Sequence, residues 1–229
     1  MSLRSPDYDE AARLLPSSSC TSERPSLMDY AAILKHLRRA DAEVHSVFRC
    51  GSHVYGTAGP GSDEDFVVVL ADPGAKKDLL FRGGANFVIH GQDSFRAAIA
   101  EQSVFAIECL FLPPEHKLKE TRGAFAYKPD KRRLAESAIA RSDADFAKAA
   151  RTLSDEPRAA KKKLFHALRV PIFAFQITER GRIVDYGAAN HHYRAIMARD
   201  DAAWDGYEAA FGPERLAVCE ALRGSRRKR

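Results

Sequence analysis

The stretch Gly51–Leu70, GSHVYGTAGPGSDEDFVVVL, decides how the chain is read. It opens on Gly51-Ser52, runs on for ten residues, and reaches Asp63-Glu64-Asp65 at the mouth of an apolar run. Val67, Val68 and Val69 favour extended backbone, so Glu64–Leu70 is predicted as a strand. Side chains alternate along a strand, which puts Asp63 and Asp65 on one side. Carboxylates that close repel one another and stay ionised together only when a cation holds them. A hard divalent ion such as Mg²⁺ takes carboxylate oxygens and substrate phosphates alike. Upstream, Val44–Cys50 reads as a second strand and delivers the chain to the Gly-Ser turn, which leads into a short helix. Backbone N–H groups and the Ser52 hydroxyl at such a turn suit the phosphates of a nucleotide. Gly51, without a side chain, lets them approach.

A third carboxylate lies downstream. Glu108 sits within VFAIECLFL, and an isolated acid among apolar neighbours is expensive to bury unless something compensates it. With Val104–Leu112 read as a strand beside Glu64–Leu70, Glu108 reaches the same ions as Asp63 and Asp65. Three acids then serve two metal ions, one activating an attacking hydroxyl and the other clamping a triphosphate.

These residues resemble the DNA polymerase β-like nucleotidyltransferase superfamily: a Gly-Ser turn, a spacer near ten residues, and an Asp-x-Asp pair. GSHVYGTAGPGSDEDF is most similar to the branch associated with RNA repair. IECLFLPPE and KKKLFHALRVPIFAFQITERGRIVDY are similar to two further segments of that branch, in the same order. The resemblance spans about residues 45–186. It implies an α+β fold, with a small mixed-sheet palm followed by a helical region, and transfer of a nucleotide monophosphate from an NTP to a hydroxyl. By position, Asp63, Asp65 and Glu108 match the catalytic metal ligands, with two Mg²⁺ ions (Mn²⁺ as the alternative). The nucleotide-binding candidates are Gly51, Ser52, Tyr55, Ser62, Lys161, Lys162, Lys163 and His166. Lys162 matches a helix lysine near the triphosphate, with Lys161 and Lys163 one register away and Arg169 on roughly the face of His166.

Outward from these motifs, 229 residues at 45% apolar and 29% charged exclude a collagenous or wholly disordered chain. No apolar run approaches the roughly 20 residues of a membrane helix. The opening MSLRSPDYDE turns acidic where a secretory signal is apolar, and four scattered cysteines lack any C-x-x-C. An intracellular, cytoplasmic setting is expected, although the basic tail Ser225–Arg229 also fits a nuclear signal. Residues 114–183 hold 17 Lys/Arg against 9 Asp/Glu, a balance of +8 in a chain of net +5. That block suits a polyanion and makes an RNA 3′ end the preferred acceptor.

The organisation expected is a flexible leader over 1–26, a catalytic palm over 27–116, a helical substrate-binding region over 117–223 and a basic tail over 224–229. In the palm, Ser26 caps a helix over Leu27–Arg39, Asn86–His90 forms a short strand, and Asp93 caps a helix through Glu101. Later helices are read at Lys131–Leu153, Arg158–Glu179, His192–Arg199, Ala202–Phe211 and Pro213–Leu222.

Other motifs fail. Gly51-x₄-Gly56 has the Walker spacing, but Thr57 stands where lysine is required. Arg141-Ser-Asp143-Ala-Asp145-Phe146 repeats the acidic letters in a helical stretch with no Gly-Ser before it, and reads as a decoy. His191-His192 has no third ligand at metal spacing and reads as surface. Two rivals remain beside RNA transfer: the same chemistry on a protein hydroxyl, and a catalytically silent nucleic-acid-binding module.

Overall fold

The computed structural model describes residues 27–121 and 123–225; the expected leader, Ser26 and all but the first two residues of the basic tail lie outside them. Among the described residues, five strands form one mixed sheet. Helix α1 (Tyr30–Leu37) leads into β1 (Val44–Cys50), the short α2 (Ser52–Tyr55) and β2 (Glu64–Leu70). Then come β3 (Asp78–Arg82), β4 (Ala85–Gly91), α3 (Gln92–Ala100), α4 (Val104–Phe111) and β5 (Lys117–Lys119). The order across the sheet is β3-β4-β2-β1-β5. β2 and β4 are parallel, and every other neighbouring pair is antiparallel. Helices α5 (Lys131–Thr152), α6 (Pro157–Arg180), α7 (Asn190–Ala198) and α8 (Trp204–Ser225) follow. This is the α+β arrangement expected, a small mixed sheet followed by helices.

The strands are apolar on both faces because both are covered. Val44, Phe66, Val68, Leu70 and Phe87 pack beneath α1 with Ile33. Phe48, Val67 and Val69 pack on the other face with Phe95 and Ile99 of α3 and Ala106 and Cys109 of α4. Asp29 caps helix α1, its carboxylate accepting the Ala32 N–H at 2.8 Å.

Three local readings are corrected. Val104–Leu112 is not a strand: residues 104–111 form α4. Ala106 and Cys109 face the sheet, while Val104 and Ile107 pack with Leu134, Ala138, Val170 and Phe173 of the later helices. A helix covered on opposite sides loses its polar stripe, and periodicity alone cannot separate such a run from a buried strand. Second, the two helices expected at Ala202–Phe211 and Pro213–Leu222 are one, α8, which begins at Trp204 and runs through Gly212-Pro213. Third, β3 and β5 were not foreseen. β5 lies past residue 116 and still pairs with β1.

Pro171 sits inside α6. It has no N–H to give the carbonyl of Ala167, four residues back. The Ser142 hydroxyl of α5 donates to that carbonyl at 2.6 Å, and Arg215 of α8 donates to the Ser142 oxygen at 3.3 Å. Arg215 also pairs with Asp143. The "decoy" repeat thus joins three helices at the gap a proline leaves. Among the described residues, no helix is long and apolar enough to cross a membrane.

Candidate active site

The site is built on the corner after β1. Gly51 has φ 74° and ψ −154°, a conformation open essentially to glycine, and its carbonyl receives the N–H groups of Val54 and Tyr55. The register then decides what faces the corner. Cys50 pairs with Asp65 across β1 and β2, and Asp65 pairs with Asn86 across β2 and β4. A Cβ on Gly51 would lie 2.1 Å from Asp65 Oδ2. The carboxylate therefore rests on the bare backbone of the turn.

Strand β2 begins at Glu64, so Asp63 lies one residue before it, exposed. Glu64 takes the Met28 N–H at 2.8 Å and Arg49 Nε at 3.2 Å, a structural pairing away from the corner. Asp65 Oδ1 accepts from Asn86 Nδ2 at 3.0 Å. Burial raises the Asp65 carboxyl above its ordinary range; Asn86 and the Lys162 charge pull it down, and the Asp63 charge pushes it up. A carboxylate that is half-sequestered, has one oxygen facing the turn and is raised further by a neighbouring acid fits a divalent cation held by Asp63 and Asp65. Asn86 was missed in the sequence, because an amide in a short strand carries no signal until its neighbour in the sheet is known.

Glu108 is placed differently from the expectation. It lies on α4, 1% exposed, with both oxygens engaged: Tyr55 Oη donates to Oε1 at 2.8 Å and Arg169 Nη1 to Oε2 at 3.0 Å. Burial raises its carboxyl, and Arg169 and Tyr55 counter that. The Arg169 guanidinium lies 3.9 Å from the Tyr55 ring centre and 4.9 Å from that of Phe173. Its Nη2 donates to His166 Nδ1 at 3.0 Å. An arginine can only donate, so His166 carries its proton on Nε2. Burial and the Arg169 charge hold that imidazole well below its ordinary value, and hence neutral. Among the described residues, the metal-ligating atoms of Asp63, Asp65 and Glu108 do not all lie within 4.8 Å of one another.

The lysine run is divided by helical rotation, about 100° per residue. Lys161 donates to the Arg199 carbonyl and lies 3.5 Å from Asp200. Lys163 pairs with Asp145 at 3.6 Å. Lys162 alone of the three lines the cavity, joined there by Arg158, one turn earlier on α6, and by Arg141 of α5. Those two arginines also escaped the sequence reading, although Arg158 stands at i−4 from Lys162.

The cavity has a volume of about 500 Å³ and lies between the sheet and the helices. Gly51, Ser52, Tyr55, Ser62, Asp65, Glu108, Lys162 and His166 line it, along with Asn86 and Arg169. Asp63, Lys161 and Lys163 are not in its wall.

Residues 30–130 match the family model described as a nucleotidyltransferase domain. The matched span begins at the first residue of α1, ends at the residue before α5, and contains the five strands of the described residues. The chain is a nucleotidyltransferase enzyme. No curated protein matches it.

Proposed function

We propose that this nucleotidyltransferase moves a nucleotide monophosphate from an NTP to the 3′ hydroxyl of an RNA, releasing pyrophosphate, and that it lies in the RNA-repair-associated branch of the polymerase β-like superfamily. The reading rests on one observation above the others. A single cavity gathers a glycine-only corner, a carboxylate pressed against it and a set of cations from the facing helices.

Asp63 and Asp65 would hold a divalent cation, Mg²⁺ by the hardness of their oxygens. When bound, such an ion polarises phosphate oxygens and makes an attacking hydroxyl more acidic. The remaining work falls to the chain itself. Gly51 and Ser52 receive the triphosphate at the turn through backbone N–H groups and the Ser52 hydroxyl. Lys162, Arg158 and Arg141 neutralise it from the helical side, and charge-assisted contacts are the stronger class of hydrogen bond. Asn86 fixes the Asp65 carboxylate by its Oδ1, which leaves Oδ2 toward the corner.

Glu108 takes a positioning role in this reading. Its bonds to Tyr55 and Arg169 tie α2 to α6, so the turn and the cationic helix keep a fixed separation. An acid with both oxygens occupied is poorly disposed to ligate an ion. The hydroxyl then attacks the α-phosphorus in line and gives its proton to solvent water, the bond to the bridging oxygen breaks, and pyrophosphate departs toward Lys162.

RNA is favoured as acceptor by the basic balance of residues 114–183 and by the arginines at the cavity wall. Labelled NTP, Mg²⁺ and total RNA should give labelled RNA with matching pyrophosphate, and Asp65→Asn should lose both. Label on protein with none on RNA would transfer the reading to a protein hydroxyl. RNA retention without pyrophosphate from any of the four NTPs would leave a silent binding module.

A further inference from the structure

His191 and His192 open α7, and the third partner that sequence spacing did not supply comes from α8. Glu214, the residue after Pro213, brings its Oε2 to 3.3 Å from His192 Nδ1. The two imidazole rings have centres 3.8 Å apart. One ligand atom from each of the three side chains lies within 4.8 Å of the other two. None of them lines the active cavity.

We propose that His191, His192 and Glu214 form a metal site separate from the active cavity, for a borderline divalent transition ion such as Zn²⁺, which clamps α7 to α8. The donor set is chemically distinct from Asp63 and Asp65. Two imidazole nitrogens with one carboxylate oxygen suit Zn²⁺, whereas hard oxygen-only ligation suits Mg²⁺. The spacing agrees as well. A tetrahedral ion with bonds of about 2.0–2.1 Å sets its donors about 3.3 Å apart, the separation already present between His192 and Glu214. His192 is 3% exposed, so one ligand is anchored in the packed interior. His191 and Glu214 are exposed, which leaves a path for the ion and a fourth position for water.

The clamp acts near the active corner. Asn190, next to His191, donates its Nδ2 to the Tyr55 carbonyl at the end of α2, and Tyr193 lines the cavity. Joining α7 to α8 therefore steadies the helix that braces the Gly51-Ser52 turn.

The test uses the full chain carrying Asp65→Asn, which breaks the proposed catalytic pair of ligands, with Zn²⁺ alone as the titrant in isothermal calorimetry. One Zn²⁺ should bind per chain and raise Tm. His191→Ala and Glu214→Gln, both at exposed positions, should each weaken binding at least about tenfold, a loss of one good contact. Co²⁺ in place of Zn²⁺ should show the visible absorption of a tetrahedral ion, altered in both variants. A chain with Asp65→Asn that takes up no Zn²⁺, or variants that bind it undiminished, would overturn the clamp and leave a plain contact between His192 and Glu214. Neither result bears on nucleotide transfer, which is read separately by pyrophosphate release.

Discussion

Gly51→Ala should be the most informative single change in the molecule. The new Cβ would meet Asp65 Oδ2 at 2.1 Å, Cγ at 2.8 Å and Cβ at 2.9 Å. Contacts under 3.0 Å are essentially never made by a real Cβ, so turn and carboxylate must part by about 0.9 Å at the least. The backbone adds its own resistance. With φ 74° and ψ −154° an L-residue is strained by about 1–3 kcal/mol. For a chain of this size that corresponds to a fall in Tm of about 2–12 °C. The chemistry should suffer more than the fold, because displacement near 1 Å of a reacting group costs about 100-fold in rate. Pyrophosphate release with saturating NTP and Mg²⁺ would read the rate, and a thermal melt followed by circular dichroism would read the fold. A variant with wild-type turnover and wild-type Tm would show that Asp65 does not rest on the corner, and would refute this arrangement of the site.

Asp65→Asn should stabilise as it inactivates. Burial lifts this carboxyl, so the folded chain holds its proton to higher pH than the unfolded chain does, and stability declines as pH rises through that window. Removing the charge should raise Tm near pH 7 without metal; a lower Tm would contradict the sequestered carboxylate. His90 has the opposite sign. Its pKa is lowered to about 4 by burial, so its contribution is intact above the ordinary value of 6.5 and is lost as pH falls toward 4. His90→Gln should shrink the drop in Tm between about pH 7 and pH 5, and an unchanged drop would acquit this imidazole. Lys162→Ala should raise KM for NTP by about 10-fold or more, the worth of one charge-assisted contact, while Lys161→Ala and Lys163→Ala change it by less than about threefold. Equal effects for the three would mean that the run acts as a diffuse charge. Ser142→Ala leaves the Ala167 carbonyl buried without its donor, which should cost about 1–3 kcal/mol in a denaturant titration with activity retained at low temperature.

Much of the palm was legible because its strands carry their own evidence. β1 and β2 have the predicted bounds of Val44–Cys50 and Glu64–Leu70, and β4 contains the predicted Asn86–His90. Valines and apolar runs bounded by glycine leave little choice there. β3 escaped notice because Asp78, Leu79 and Phe81 are exposed, so its pattern lacks a buried face. β5 is three residues long, too short for any period to register. For the site, the Gly-Ser turn and the acidic pair could be read from spacing alone. The pairing of Asn86 with Asp65 could not, because it depends on which strand lies beside β2. The partners of Glu108 were hidden for the same reason: Tyr55 is 53 residues away and Arg169 61. A lone acid in an apolar run announces that it has a partner without saying whether that partner is an ion or an arginine.

The gap at Pro171 has a consequence for insertions and deletions. Only one carbonyl on α6 is left vacant by the missing N–H, and Ser142 of α5 seizes that one, so the proline works as an indexing mark that sets the rotation of α6 about its own axis. Nine residues, or two and a half turns, separate the mark from Lys162. Adding or deleting a single residue between them would swing Lys162 off the cavity by about 100° and bring a neighbouring lysine into its place. Point substitutions on the outer side of this segment leave the angle unchanged, whereas a change in its length would not. Homologues that share the proline should therefore hold the spacing from lysine to proline fixed while the surface letters between them drift.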